Sequence, residues 1–403
     1  MIQHPRVLIS TIQPSSGGVP AKVLWVIGEL QSLGLVPVVA WYEPWSRTPI
    51  LSVPAHALAS FRRPGVRTEP VFGDVEGHGL GAWLPELEFT HYRPCRDWRQ
   101  LIGSCQFHLA VTGNPLCAFR FTVLELPFLA WVGTPWEGDR VDRVRTFPLP
   151  RRLLDQGLNA PVLRRMERKV LQDPRGRILA ISQVTADALE EIGGRPMDGV
   201  LYLPPDASLF HPLPQKLVPW RIGFSGRYSD PRKQIELLLA AVRHLADLGH
   251  PVQLELTGER DGSFLDSQLQ ALGISDRVRC HPYLSPSELA AVIQRWEVFV
   301  IPSHQEGLCI AALEAMACGV PVVSTRCGGP EDFVQEGLTG SLVDADPQAM
   351  AAAMGRICSD RLLQQRLSEG ARHWVAAKAS ENVGRTIFRS HLEATFPFLM
   401  NRL

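Results

Sequence analysis

Short apolar runs bounded by turn residues alternate along this chain with stretches of helical periodicity. Val7-Leu8-Ile9, Val36 to Trp41, Phe107 to Val111, Phe128 to Val132 and Ile178 to Ile181 are apolar and followed by Gly, Ser, Thr, Pro or charged residues. Such runs predict buried strands of a parallel sheet. A helix is expected over Ala21 to Leu33, ended by Gly34, so the chain opens as a β-loop-α-β unit of the doubly wound type. The alternation resumes at Trp220 to Phe224, with a helix from about Gln234, and continues through Val252 to Thr257, Val298 to Ile301, Val322-Val323 and Gly340 to Val343. Another helix is expected over Leu308 to Cys318, with Gly319 as its left-handed C′ residue and Pro321 preventing continuation. The fold class is therefore α/β, and 403 residues are enough for two domains of ordinary size.

Composition narrows the partners. Lys plus Arg equal Asp plus Glu at 41 each, so no global field draws the protein to nucleic acid. The eight cysteines form no C-x-x-C pair or zinc-like grouping and read as free thiols of a reducing compartment. No signal peptide is visible before Val7, and no apolar run approaches the ~20 residues that span a bilayer. A cytoplasmic protein is expected.

The chemistry concentrates between Val298 and Val334. Glu306 sits in a loop just before a helix, Gly307 lets backbone approach a ligand, and the amides of roughly Gly307, Leu308, Cys309 and Ile310 are donors at the positive end of the helix dipole. That is an anion site suited to a diphosphate. Glu314, eight residues after Glu306, falls on the order of 9 Å further along the helix. It is surrounded by Ala311, Ala312, Leu313, Ala315, Met316 and Ala317, and a carboxylate in so apolar a helix needs a partner. A nucleotide-sugar laid along this element would place sugar hydroxyls near Glu306, diphosphate over the helix start and ribose at Glu314. The plainer alternative makes Glu306 a loop charge and Glu314 a solvated helix residue.

The run from Ser303 to Ser324, S-x-x-E-G-x-x-x-x-x-x-E-A-M-A-x-G-x-P-V-V-S, resembles the E-x7-E signature of retaining glycosyltransferases of the GT-B fold, the family 4 group. Cys309 departs from it, standing where the family usually has Gly. The resemblance implies two Rossmann-like doubly wound domains facing across a cleft: an acceptor-binding domain over 1–210, a nucleotide-sugar donor-binding domain over 211–379, and a helix over 380–403 crossing back to the first. The proline-dense segment from Tyr202 to Pro214 is similar to the family's interdomain hinge. Gly226 and Arg227 with Lys233 match the family's G-R-x5-K element, whose two cations clamp the donor diphosphate. Charge agrees, since two cations neutralise a leaving anion. Gly17-Gly18 resembles the Gly-Gly loop with which the first domain meets that diphosphate, although an ordinary turn also explains the pair. Tyr283 and Leu284 fall where the family holds the nucleotide base.

Loops after the strands at Phe107 and Phe128 are expected to face a ligand, because open α/β sheets bind at the carboxyl ends of their strands. Asn114, Trp136 and Asp139 become acceptor-side candidates, with turn chemistry an equal explanation of Asn114 and Asp139. The family often has a His where this chain has Gly133, so no catalytic His is assigned. Asp344-Ala345-Asp346 spells the D-x-D of metal-dependent transferases, but it opens a helix at Pro347 and capping explains it better. No metal and no cofactor is expected. The basic stretch from Arg140 to Arg177 reads as a solvated helix or as a peripheral contact with anionic lipid. Retaining hexosyl transfer from a nucleotide-sugar to an alcohol is the expected reaction, with a glycan, lipid-linked or small-molecule acceptor. Catalytic roles fall to Glu306, Arg227 and Lys233. A nucleotide-sugar epimerase and a non-catalytic nucleotide-sugar-binding module are the alternatives on the same fold.

Overall fold

The structure, a computed structural model, describes residues 4–14, 17–138, 140, 144, 147–213, 218–258 and 262–397. They form two compact units, one running to Leu201 and taking up the chain again from Arg385, the other Tyr202–Gly384. This first junction falls nine residues before the one expected from sequence, after 210. Phe210 is instead buried in the second unit, where it lines a cavity described below.

The N-terminal unit contains β1 (Arg6–Thr11), α1 (Gly18–Ser32), β2 (Val36–Tyr42), β3 (Val66–Val71), β4 (Val75–Leu80), α2 (Arg96–Gly103), β5 (Phe107–Thr112), α3 (Phe119–Val123), β6 (Phe128–Val132), α4 (Leu149–Leu154), α5 (Ala160–Leu171), β7 (Gly176–Ala180), α6 (Gln183–Gly193) and β8 (Gly199–Val200). Among the described residues its strands form one sheet in the order β3-β4-β2-β1-β5-β6-β7-β8, parallel except for the β3–β4 hairpin. The order reverses between β2 and β5, on either side of β1, as in doubly wound sheets. Helix α1 begins at Gly18, three residues ahead of expectation, because Gly17 adopts φ +126° and supplies the turn into it. The hairpin lies in the stretch from 42 to 106, where weak periodicity hid it.

The C-terminal unit contains β9 (Arg221–Ser225), α7 (Ile235–Asp247), β10 (Gln253–Thr257), α8 (Gly262–Leu272), β11 (Val278–Cys280), α9 (Pro286–Ile293), β12 (Val298–Ile301), α10 (Ile310–Ala317), β13 (Val322–Thr325), β14 (Gly340–Val343), α11 (Pro347–Ser359) and α12 (Arg361–Lys378). Its sheet, in the order β11-β10-β9-β12-β13-β14, is parallel throughout, and again the order reverses at the first strand, β9. β9, β10, β12 and β13 are almost wholly buried, which explains their near-continuous apolar runs.

The last helix, α13 (Glu381–Thr395), anchors in the N-terminal unit. Arg385 and Arg389 both donate to the buried Glu29 of α1, at 3.0 and 2.9 Å. Phe388 packs edge-on against Trp25, and Phe396 against Phe107. No helix among the described residues is long and apolar enough to cross a membrane.

Candidate active site

Strand β12 ends at Pro302, and the loop that follows is fixed backbone to backbone. The Glu306 N–H donates to the Cys327 carbonyl at 2.7 Å, and the Glu306 carbonyl accepts from Gly329 N–H at 2.9 Å. A Cβ on Gly329 would lie 2.3 Å from the Gly307 oxygen, so glycine is required where these loops meet. With its main chain held, Glu306 presents its Oε1 to two donors, Lys233 Nζ and Ser303 Oγ, each at 2.6 Å. The Lys233 and Glu306 side chains are only 17% and 10% exposed. Burial opposes the Lys233 charge, the Glu306 carboxylate favours it, and the lysine pKa ends above its ordinary value.

Helix α10 starts at Ile310, two residues later than the sequence suggested. Cys309 takes φ +68°, a left-handed conformation that favours glycine and interrupts the helical backbone before it. Its carbonyl accepts the Ala312 N–H at 3.0 Å, so the dipole begins at Ile310. Leu308 turns its side chain into the core.

Lys233 closes a short turn, Pro231–Lys233, capped by Asp230. Arg232 is held by the same Asp230 through Nε at 3.1 Å and Nη2 at 2.8 Å, and its carbonyl accepts the His304 N–H at 2.9 Å. Gln234, left-handed, then starts α7. The structure therefore brings Lys233 to Glu306. It does not bring Arg227, whose side chain is 62% exposed and 3.4 Å from Asp230. Gly226 approaches Gly258 so closely that a Cβ on Gly258 would lie 2.7 Å from the Gly226 oxygen.

Glu314 lies further along α10 and lines a cavity of about 200 Å³ with Phe210, Ser225, Thr257, Tyr283 and Leu284. Half-buried and without a hydrogen-bond partner among the described residues, its carboxyl is pushed up to about 7 by burial. Tyr283 is 82% exposed. One cavity thus joins three residues named from sequence: Glu314, Tyr283 and Leu284.

The N-terminal unit has its own cavity of about 570 Å³, at the carboxyl ends of β1 and β5, with Asn114 and Trp136 in its wall. Asn114 Oδ1 accepts the Leu116 N–H at 3.1 Å, the turn role open to it from sequence. Trp136 is buried, its indole N–H donating to Glu88 at 3.2 Å and its backbone N–H to Glu167 at 2.7 Å. Burial raises the Glu167 carboxyl to about 7. Asp139 lies outside the described residues. Val19, beside Gly17 and Gly18, lines this cavity too. Gly133 sits 3.2 Å, measured from an added Cβ, from the Gly113 oxygen, so local crowding favours glycine there.

The model of the family described as glycosyl transferases group 1 matches residues 210–374. The C-terminal unit belongs to this family. A D-inositol 3-phosphate glycosyltransferase of Geodermatophilus obscurus is 32% identical over 258 residues, 55% of this chain and 56% of that one. Another, from Corynebacterium urealyticum, is 36% identical over 176 residues, 41% of each chain. The chain spans about half the length of these relatives. Among solved structures, a sucrose-phosphate synthase from Thermosynechococcus elongatus matches with a TM-score of 0.75 at 20% identity, covering 98% of this chain and all of that one. The Anabaena protein HepE, solved in complex with UDP, matches with a TM-score of 0.71 at 14% identity, covering 96% and 100%. At these identities the likeness is one of fold, and the fold is GT-B.

Several residues of this site carried no sequence signal of their own. Ser303 opens the signature, but its hydrogen bond to Glu306, which it shares with Lys233, forms only when the loop closes. Phe210, Ser225 and Thr257 join Glu314 only through the sheet. Asp346 accepts the Ala349 N–H at 2.7 Å and is the cap of α11. Among the described residues no group of three His, Cys, Asp or Glu side chains has the arrangement of a metal site. All eight cysteines are free thiols.

Proposed function

We propose that the protein moves a hexosyl group from a nucleotide-sugar to a hydroxyl acceptor, with retention of configuration and without a metal. The observation that carries this reading is the 2.6 Å Lys233–Glu306 pair beside the start of α10, with Glu314 left unpaired in a cavity further along the same helix. A ribose diol offers Glu314 the two donors it lacks, and a base fits against Tyr283 and Leu284. The diphosphate then lies over the start of α10, where Lys233, Arg227 and the helix dipole stabilise the charge that grows as the sugar departs. Glu306 orients the sugar and supports its positive character. The departing diphosphate accepts the proton of the acceptor hydroxyl from the face it leaves, which gives retention. HepE is bound to UDP in its crystals, so UDP-sugars are the first donors to test.

The acceptor is assigned to the cavity of the N-terminal unit, at Asn114 and Trp136. Product analysis by mass spectrometry tests the reaction. Glycosylated acceptor is expected only when both substrates are present. A converted donor in the absence of acceptor would mark an epimerase, and unchanged donor under all conditions a binding module.

A peripheral contact with an anionic membrane is supported by the face of α4 and α5. Leu149, Leu153, Leu154 and Leu158, in α4 and the turn after it, and Arg151, Arg164, Arg165, Arg168 and Lys169 are all exposed, while the acids of the same stretch, Asp155 and Glu167, are buried. Exposed leucines among cations of which Arg164 alone is paired, with Glu137 at 2.6 Å, among the described residues suit the boundary of an anionic bilayer.

A further inference from the structure

The cavity of the N-terminal unit contains more unmet polar demand than a cavity for a plain alcohol requires. Arg120 lies in its wall, 1% exposed. The guanidinium stacks over Trp98 at 3.6 Å and donates to neutral oxygens only, Ser10 Oγ and the His91 carbonyl, the latter at 3.0 Å. Its Nε has no partner among the described residues, and no carboxylate pairs with it there. Burial draws its pKa down to about 10, which leaves it charged at neutral pH.

Two further buried atoms of the same wall are orphaned. Thr11 Oγ1 and Asn159 Oδ1, on residues 3% and 5% exposed, have no partner among the described residues. The acids that line the cavity are already engaged. Glu88 and Asp155 both pair with Arg140, and Glu86 accepts the Ala55 N–H at 3.0 Å. Buried polar atoms are ordinarily satisfied, and a buried charge is ordinarily paired. A ligand that brings an anionic oxygen and hydroxyl groups would satisfy all three residues at once.

Building on the acceptor assignment above, we propose that this cavity takes a soluble polyhydroxy acceptor bearing a phosphate or carboxylate, that Arg120 binds the anionic group, and that Thr11 and Asn159 meet its hydroxyls. A guanidinium with N–H groups to spare forms charge-assisted hydrogen bonds to either anion. His91 does not share the task, because burial lowers its pKa and its ring nitrogen Nε2 is engaged by the Pro85 carbonyl at 2.9 Å.

Isothermal titration of the full chain without donor tests this, using glucose 6-phosphate, glycerol 3-phosphate and gluconate against glucose and glycerol. At least one anionic probe is expected to bind about tenfold or more tighter than its neutral parent, the scale of one charge-assisted contact. Glucose 6-phosphate against gluconate separates phosphate from carboxylate preference. Arg120→Met should bring the ratio to about one, Arg120→Lys should keep part of it, and Asn159→Asp, which adds a carboxylate with Arg120 intact, should reduce it. Equal binding of charged and neutral probes, no binding of any anion, or a ratio unchanged in Arg120→Met would overturn the proposal. If Arg120→Met fails to fold, an unchanged ratio in Asn159→Asp overturns it instead. Melting shifts with nucleotide-sugars on the same preparation separate the two readings. A donor shift without anion preference removes this inference alone, whereas no shift with any nucleotide-sugar removes the transferase reading beneath it.

Discussion

Lys233 and Glu306, 73 residues apart in sequence, form a 2.6 Å ion pair that fastens the loop after β9 to the loop after β12. The pair holds the cation of the proposed diphosphate clamp in place before any ligand arrives. It also neutralises that cation, so a bound diphosphate must share Lys233 with Glu306.

The first prediction separates the two cations of the clamp. Lys233→Ala and Arg227→Ala should each lower turnover at least about a hundredfold, since losing a transition-state charge partner costs ~2.7–4 kcal/mol. Their stabilities should differ. Lys233→Ala strands a shielded carboxylate and should lower the melting temperature. Arg227→Ala removes an exposed side chain and should leave it unchanged. Near-normal turnover in either variant would show that the clamp is misassigned.

Glu306 and Glu314 should fail in different ways. Glu314→Gln replaces an acceptor for hydroxyls that persist from ground state to transition state, so it should mainly raise KM for the donor. Glu306→Gln removes negative charge near a centre that becomes positive, so it should mainly lower kcat. Steady-state kinetics with the donor varied at saturating acceptor checks both. A pure KM effect at Glu306 would take it out of the chemistry.

The raised pKa of Glu314 sets a pH dependence for the unliganded protein. A carboxyl at about 7 when folded and near 4.5 when unfolded binds its proton more tightly in the native state. Its contribution is fully present below about 4.5 and is lost as pH rises through about 7. Melting temperatures of the wild type relative to Glu314→Gln should therefore fall across that window. Parallel curves for the two proteins would mean that Glu314 is not desolvated.

Metal independence is checked with EDTA, which should leave turnover intact. Asp346→Ala should cost about 1 kcal/mol of stability, the value of an N-cap, without lowering turnover. Activity that requires added Mg²⁺ or Mn²⁺ would contradict the clamp as the means of stabilising the leaving group.

Sedimentation with phosphatidylglycerol vesicles checks the leucine and arginine face. Binding is expected to weaken with salt and to drop in a Leu149→Ser, Leu153→Ser double variant. Sedimentation that does not respond to these leucines would remove the membrane contact.

Much of the C-terminal unit was legible because its strands are buried on both faces and its loops carry the turn residues that backbone contacts require. Gly329 against Gly307, and Gly319 at φ +80°, are examples. The start of α10 is not legible in the sequence, because Cys309 is not a residue from which positive φ is expected. The site in the N-terminal unit was mostly invisible. Thr11, Arg120 and Asn159 lie far apart in sequence and meet only when β1, α3 and the segment before α5 pack together. A buried arginine in the sequence Cys117-Ala118-Phe119-Arg120-Phe121 has no local pattern that separates it from a surface one.

Donor binding by the C-terminal unit is the claim on which the rest stands, and a melting-temperature panel with UDP-, GDP- and ADP-hexoses tests it most directly. A ligand that binds the native state alone at a hundredfold excess over its Kd stabilises by ~2.7 kcal/mol. At least one nucleotide-sugar should therefore raise the wild-type melting temperature by several degrees, with most of that shift lost in Glu314→Gln at the same donor concentration. No shift with any of them, or the same shift in wild type and Glu314→Gln, would contradict the account.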